Sequence, residues 1–226
     1  MTQFELYFMM FAIMSMAGWL LEVVCKYIEN GRFVNRGFLT GPYCPIYGTG
    51  SVLAIVLLED LAPHPVAVFF MSMLVCGSLE YITGWIMEKL FHARWWDYSE
   101  RRFNLNGRVC LETLVPFSLM CLAIIYIVKP ALFNMFIKMP PSIGHASCII
   151  FAALFIADIV ISGHILHRIR NSAELTDGDN TESLTQVVRA ELTKKGLLLR
   201  RYTRAFPHMK LYNSNIYKRL SKKYSK

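Results

Sequence analysis

Five blocks of apolar residues constrain the fold of this chain more than any other feature. They cover residues 6–24, 43–58, 66–87, 111–128 and 146–166. A helix needs about 20 mostly apolar residues to cross the hydrocarbon layer of a bilayer. The first, third and fifth blocks reach that length easily, and the second is the shortest. The pattern predicts an all-α, polytopic membrane protein with about five transmembrane helices in a domain spanning residues 1–170.

The composition agrees with that class. Hydrophobic residues make up 54% of the chain and charged residues 18%, which is too apolar for an ordinary soluble domain. The six cysteines show no CxxC or Cys/His zinc spacing, so we expect packing residues and neither a metal nor a cofactor. No GxxxxGK[ST] string occurs, so the chain carries no nucleotide-binding loop of that type.

The distribution of Lys and Arg predicts an orientation. Segments 26–42 and 89–110 hold three and five of them, whereas 59–65 holds none and 129–145 holds two. The tail that begins at Arg168 holds 14 of the 24. Basic residues favour the cytoplasmic side of a membrane. We therefore expect a multi-pass protein of the cell (inner) membrane, with the N-terminus outside and the tail in the cytoplasm.

A five-residue string occurs twice, each time where an apolar block reaches its charged end. The two copies are Gly18-Trp19-Leu20-Leu21-Glu22 and Gly84-Trp85-Ile86-Met87-Glu88. Equal spacing in matching contexts indicates an internal duplication, with two tandem hairpins related by an axis along the membrane normal and followed by a fifth helix. The alternative is coincidence, because Gly, Trp and Glu all favour interfacial helix ends.

The segment after the first block is dense in residues that fix the backbone. Its glycines and prolines predict a defined path, and they are Gly37, Gly41, Pro42, Pro45 and Gly48. Asn35 and Arg36 supply hydrogen-bond donors at the level of the lipid headgroups. The alternative is a tight re-entrant turn that Arg36 pins to headgroup phosphates.

The segment after the third block is rich in aromatic residues. Asp97 stands between Trp96 and Tyr98 and is expected to pair with Arg94 or with an arginine of the first segment. Asn106-Gly107 is a turn signal. A passive aromatic belt at the membrane interface is the competing interpretation.

Three acidic residues fall inside predicted spans. A charge at the bilayer centre costs on the order of 3 kcal/mol, so Glu80, Asp158 and Glu112 are expected to line a polar interior. Asp158 meets no opposite charge in its own helix before Arg168 and must find a partner on another element or stay neutral. A hydrogen-bonded structural network is the alternative. The full candidate polar cluster is Glu22, Asn35, Arg36, Glu80, Glu88, Asp97, Tyr98, Asn104, Glu112 and Asp158.

Several uncommon strings occur in order and together resemble one known family. They are Gly18-Trp19 with Glu22, Asn35-Arg36-Gly37, Gly41-Pro42, Pro45-Ile46-Tyr47-Gly48, Glu80-Tyr81, Glu88, and Trp96-Asp97-Tyr98-Ser99 with Asn104 and Gly107. In these residues the chain resembles the CmpB-like, or "type IV", ABC-transporter permease family, over about residues 5–170. The resemblance implies substrate translocation coupled to a separate ATPase, and it implies no catalytic residue.

The tail at 171–226 lies outside this resemblance. It begins with a polar linker at 171–183, continues with a segment at 181–199 that has the pattern of an amphipathic helix, and ends in nine basic and no acidic residues from Arg200 onward. Nucleic-acid binding would show the same composition. Beside a membrane, anionic lipid headgroups are the expected partner and nucleic acid is not.

Three functions fit the sequence. The first is a permease subunit that docks a separate ATPase; because five helices are few for a pore, it would need an oligomer or a second permease. The second is a membrane enzyme acting on a lipid-linked substrate, in which Asp97, Glu22 or Glu88 serves as acid or base and Arg36 and Arg94 hold phosphate. The third is a non-catalytic scaffold. The resemblance places the permease first, and an enzyme is the less expected reading.

Overall fold

The computed structural model describes residues 1–35 and 37–174, together with 182, 185–186, 201, 205, 210–213 and 216 in the tail. The candidate residue Arg36 and most of the predicted amphipathic segment at 181–199 lie outside the described residues. What is described is mostly helical, as the sequence predicts.

Six α-helices and four very short strands make up the described fold. The helices are α1 Gln3–Asn30, α2 Pro45–Leu58, α3 Pro65–Phe91, α4 Leu111–Ala123, α5 Lys129–Lys138 and α6 Pro141–Glu174. The strands are β1 Ala93–Arg94, β2 Asn104–Leu105, β3 Val109–Cys110 and β4 Lys210–Leu211. β1 pairs with β4 and β2 pairs with β3, both antiparallel. A 3₁₀ turn at Glu59–Leu61 follows α2, and a π-helical segment at Ile124–Val128 joins α4 to α5.

In the part of the chain that the structure describes, four helical stretches are long and apolar enough to cross a membrane. They are Gln3–Glu29, Pro65–Phe91, Leu111–Lys138 and Pro141–Ser172. The second predicted span is α2, which has 14 residues and is therefore about 21 Å long, short of the roughly 30 Å of hydrocarbon. α4, the π-helical segment and α5 together form one of these stretches, Leu111–Lys138. The described structure thus has four long helical stretches and the short helix α2 where five spans are predicted.

The start of α2 lies beside the middle of α1, which explains why α2 is short. The backbone N–H of Cys44 donates to the carbonyl of Ser15 at 2.9 Å, and Ser15 is near the midpoint of α1. Further along, Gly48 faces Phe11, so the two helices are antiparallel. Residues 31–44 therefore fold back into the bundle to reach this depth.

Gly48 permits the close contact between α1 and α2. A Cβ at this position would overlap Ser15 and the backbone carbonyl of Phe11. We expect Gly48→Ala to force the helices apart and to destabilise the fold by about 1–3 kcal/mol, measured as a lower apparent Tm in detergent. Gly163→Ala in α6 is the matched control, because no atom of another described element lies within 4 Å of its Cβ position. Equal Tm values for the two variants would contradict this packing.

The two ends of the bundle differ in character. At one end Met1 packs on Gly144, Glu5 bonds His145, and the turn after α2 meets α5 through the ion pair of Glu59 with Lys129. At the other end lie the first connector, residues 31–44, and the second connector, residues 92–110. The prediction that both motif-bearing connectors share one end therefore agrees with the structure. α6 extends beyond the predicted boundary at 170, to Glu174.

The π-helical segment coincides with a proline. Pro130 lacks an N–H, and its ring would clash with the carbonyl four residues earlier in a regular α-helix. Widening of the helix just before Pro130 relieves this conflict. Ile124 and Ile125 of the widened segment are buried against α1, α2 and α3, which places the irregularity at the centre of the bundle.

Candidate functional site

A buried ion network fixes the second connector to the end of α3. Glu88 is only 5% exposed. Its carboxylate accepts from Arg108 Nη2 at 2.8 Å and Nε at 3.2 Å, and from Arg94 Nη2 at 3.3 Å. Both arginines are buried as well. One carboxylate thus binds two guanidinium groups that lie near opposite ends of the connector sequence.

Asp97 extends the network to the tail. It pairs with Arg94 at 3.4 Å, as predicted, and with Lys210 at 2.5 Å. Burial alone would raise the pKa of Asp97. Hydrogen bonds from Lys210 and from the side chain and backbone of Ser99, with the charge of Arg94, outweigh burial and lower this pKa to about 2.

The lowered pKa has a measurable consequence. Because the folded protein holds Asp97 at a pKa below the usual 3.8, its contribution to stability is complete above about pH 5 and is lost as pH falls from about 4 to 2. We expect the Tm advantage of wild type over Asp97→Asn to shrink across that window. Thermal unfolding at pH 6, 4 and 2.5 measures it, and a constant difference would contradict the pairing.

A tight turn gives the second connector its shape. Asn104 donates to the carbonyls of Ser99 and Arg101, and its own side-chain oxygen accepts from the N–H of Gly107 at 3.0 Å. Gly107 has a φ of +68°, and a Cβ there would lie 2.6 Å from the Asp97 carboxylate. Only glycine suits both the dihedral angle and the space.

Two tyrosine–glutamate pairs lie beneath the connectors. Tyr98 donates its hydroxyl to buried Glu80 at 3.2 Å, and Tyr47 donates to Glu22 at 2.8 Å. The pKa of Tyr98 is raised, first by burial and then by the charge of Glu80, with a smaller contribution from Glu22. Tyr47 and Glu80 line the same cavity, so the two tyrosine–glutamate pairs are neighbours.

Asp158 holds the first connector inside the bundle. Its two carboxylate oxygens accept from the backbone N–H groups of Thr40 at 3.0 Å and Gly41 at 2.8 Å. Ser162, one turn on, donates to the same carboxylate at 3.1 Å. The expected partner on another element is therefore the connector backbone, and the charge is stabilised by hydrogen bonds.

Asn35 organises the same connector from within. Its side-chain oxygen accepts from the indole N–H of Trp19 at 2.8 Å and from the N–H of Gly37 at 3.1 Å. Its amide donates to the carbonyl of Thr40 at 3.2 Å. The Trp of the first repeated string thereby anchors the loop that follows it.

The glycines of the two repeated strings act alike. Gly18 lies against the ring of Tyr47, and a Cβ at Gly84 would lie 3.2 Å from the ring of Trp96. Each glycine thus admits an aromatic ring from the segment that follows it. The helices after the two connectors nevertheless differ in length, and internal duplication stays a prediction.

The connectors contact each other and the described tail residues. The ring of Phe38 packs on Phe91 at 5.7 Å and on Trp95 at 5.5 Å between centroids. Arg201 donates to two carbonyls of the first connector, and Leu211 pairs with Ala93 in β1 of the second. The described tail residues therefore bind both connectors at one end of the bundle.

One candidate residue is placed wrongly by the sequence, and others are missed. Glu112 does not line the interior, because its side chain is 56% exposed and pairs with Arg101 at 2.7 Å. It is in the first turn of α4, where the rotation of the helix directs it outward. The missed residues are Tyr47, Thr40, Arg108 and Ser162. Tyr47 had a signal in its Gly/Pro-rich surroundings, whereas the contacts of the other three depend on long-range packing.

A cavity of about 200 Å³ opens between α1, α2, α3 and α4. Its walls are largely apolar. The polar side chains among its lining residues include Tyr47, Ser51 and Glu80. Ile124 and Val128 of the π-helical segment form part of the wall, so the irregular part of the fourth long helix borders the cavity.

Comparison with family models matches residues 9–163 to the family described as "Putative ABC-transporter type IV". The match includes most of the first and fifth predicted spans, all of the second, third and fourth, and both connectors, and it ends before the tail. No curated protein and no solved structure matches the chain.

Proposed function

This chain belongs to the putative type IV ABC-transporter family, and on that premise we propose that it is the permease subunit of an ABC-type transporter. Its sequence has no Walker-type phosphate loop, so energy would come from a separate ATPase. In this proposal the connectors and tail face the cytoplasm across the inner membrane, in keeping with their basic charge.

The observation that carries the proposal is that buried contacts fix both connectors to the helices at one end of the bundle. Glu88 ties the second connector to α3 through two buried arginines, and Asp158 ties the first connector to α6. Loops fixed in this way form a rigid surface, which lowers the entropic cost of docking a partner. A rigid connector surface joined to the long helices would transmit motion from an ATPase into the bundle.

Phe103 is the proposed docking residue on that surface. Its side chain is 81% exposed, and its φ of +52° is uncommon for a residue other than glycine. Strain of this kind costs on the order of 1–3 kcal/mol and is concentrated at functional positions. Leu105, two residues on, is also exposed. Exposed aromatic side chains held on a rigid turn commonly anchor protein–protein contacts.

Co-purification tests this proposal. Wild-type protein extracted from native membranes in mild detergent should carry an ATPase, and Phe103→Ala should lower the recovered ATPase by about tenfold or more. Phe4→Ala is the matched control, because Phe4 is 76% exposed at the opposite end of the bundle. Absence of an ATPase from wild type, or equal recovery with both variants, would contradict the proposal.

The contacts of the acidic residues favour this function over an enzyme. Glu88 is bonded to two arginines, and Asp97 is bonded to Ser99 and Lys210. Arg94, which the enzyme interpretation assigns to phosphate, contacts both acids. A general acid or base must reach the proton it transfers, and these groups already bond one another.

Lipid and other subunits complete the proposed assembly. The long helices expose many large apolar side chains, which suits contact with bilayer lipid. Basic residues of the tail would contact anionic headgroups beside the connectors. Because the chain has few helices for a complete translocation path, we propose that the working transporter contains two or more permease chains.

A further inference from the structure

The cavity between α1 and α4 contains a buried acid with unusual surroundings. Glu80 is 5% exposed and lines the cavity. It accepts hydrogen bonds from Tyr98 at 3.2 Å and from Thr113 at 3.5 Å. Among residues 1–35 and 37–174, no Lys or Arg forms an ion pair with it, in contrast to Glu88 with two arginines.

A buried carboxylate with only neutral hydrogen-bond donors around it attracts a positively charged group. Removal of a carboxylate from water is costly unless a cation or several donors compensate. Tyr98 and Thr113 supply neutral donors only. Charge complementarity therefore points to a ligand that brings its own cation to Glu80.

The rest of the cavity suits an apolar body. Its walls include Met14, Leu79, Phe117 and Met120. A protein cavity of about 150 Å³ binds benzene, so about 200 Å³ has room for a somewhat larger apolar group. The aromatic rings of Tyr47 and Phe117 are in edge contact at 5.9 Å, and such rings also attract cations.

We propose that this cavity binds an amphiphilic amine, with the ammonium group on Glu80 and the apolar body between α2 and α4. As a statement about the transported substrate, this inference rests on the proposed permease function. The claim that the cavity binds such an amine depends only on the cavity and on Glu80. A primary or tertiary amine with a short alkyl or single-ring body fits both the volume and the charge.

Three probes with the same chain and different headgroups test the proposal. Octylamine, octanol and octanoate are titrated by calorimetry into the full chain held in nanodiscs of neutral lipid at pH 7. We expect saturable binding of octylamine, weakened at least about tenfold by Glu80→Gln. Octanol should bind more weakly and equally to both proteins, and octanoate should not bind. Comparison within identical nanodiscs cancels partition of the probes into lipid.

Two further variants keep the test decisive. Glu112→Gln removes an exposed acid outside the cavity and should leave octylamine binding unchanged. Ala123→Phe fills the cavity, whose lining includes Ala123, and should abolish binding with Glu80 intact, so the site is tested even if Glu80→Gln fails to insert. Octanol binding as tightly as octylamine, or octylamine binding unaffected by Glu80→Gln or Ala123→Phe, would overturn the proposal. No ATPase is present, so this result is independent of docking at Phe103.

Discussion

Glu88→Gln is expected to destabilise the folded protein by about 3–5 kcal/mol, because it leaves two buried guanidinium groups without their shared carboxylate. Arg94 and Arg108 contact Glu88 at 3.3 and 2.8 Å. Without its charge their mutual repulsion would grow in a medium of low dielectric constant, although Asp97 still pairs with Arg94. For a chain of this size the loss corresponds to a fall in apparent Tm on the order of 10 °C. The second connector should separate from α3.

Thermal unfolding in detergent measures this effect. Glu112→Gln removes a carboxylate of the same type, but its pair with Arg101 is more than half exposed on both sides. Exposed pairs contribute about 1 kcal/mol or less, so the control should shift Tm only slightly. If Glu88→Gln and Glu112→Gln have the same apparent Tm, the buried network does not hold the connector.

Asp158→Ala should release the first connector from the bundle. The substitution leaves the N–H of Gly41 without its acceptor, whereas the N–H of Thr40 keeps Ser162 Oγ at 2.9 Å. An unsatisfied buried donor costs about 1–3 kcal/mol. We therefore expect a loss of about 1–3 kcal/mol from the local stability of residues 37–44. Asp158→Asn retains one carbonyl acceptor and should be affected less.

Hydrogen exchange followed by mass spectrometry gives a local readout. Peptides covering residues 37–44 should exchange slowly in wild type and on the order of tenfold faster in Asp158→Ala. Asp60→Ala is the control, because Asp60 is an exposed acid at the opposite end of the bundle. Unchanged protection of residues 37–44 in Asp158→Ala would show that other contacts fix this connector.

Hydropathy located the helices because the bilayer demands long apolar runs, but it set their ends too early. α1 continues to Asn30 and α6 to Glu174, since a helix that has left the hydrocarbon can carry polar residues. The depth at which α2 begins inside the bundle could not be predicted from the sequence. It depends on the contact of Cys44 with Ser15, which joins residues far apart in the chain.

The same distinction explains the candidate site. The pair Arg94–Asp97 is three residues apart, and such local contacts are visible in sequence. The contact of Asp158 with Gly41 joins residues 117 positions apart, and only the assembled helices create it. The prediction for Glu112 was wrong for another reason. In the first turn of a helix, a shift of one residue decides whether a side chain faces the core or the surface.

Pairing of β4 with β1 has a consequence for biogenesis. The ribosome makes Leu211 after all four long helices, yet this residue pairs with Ala93 and is fully buried. The end of the bundle that holds the connectors can thus reach its final state only after residue 211 has been made. A chain released before that point would lack the pairing and would leave Trp95 and Leu166 without the tail residues of their buried cluster.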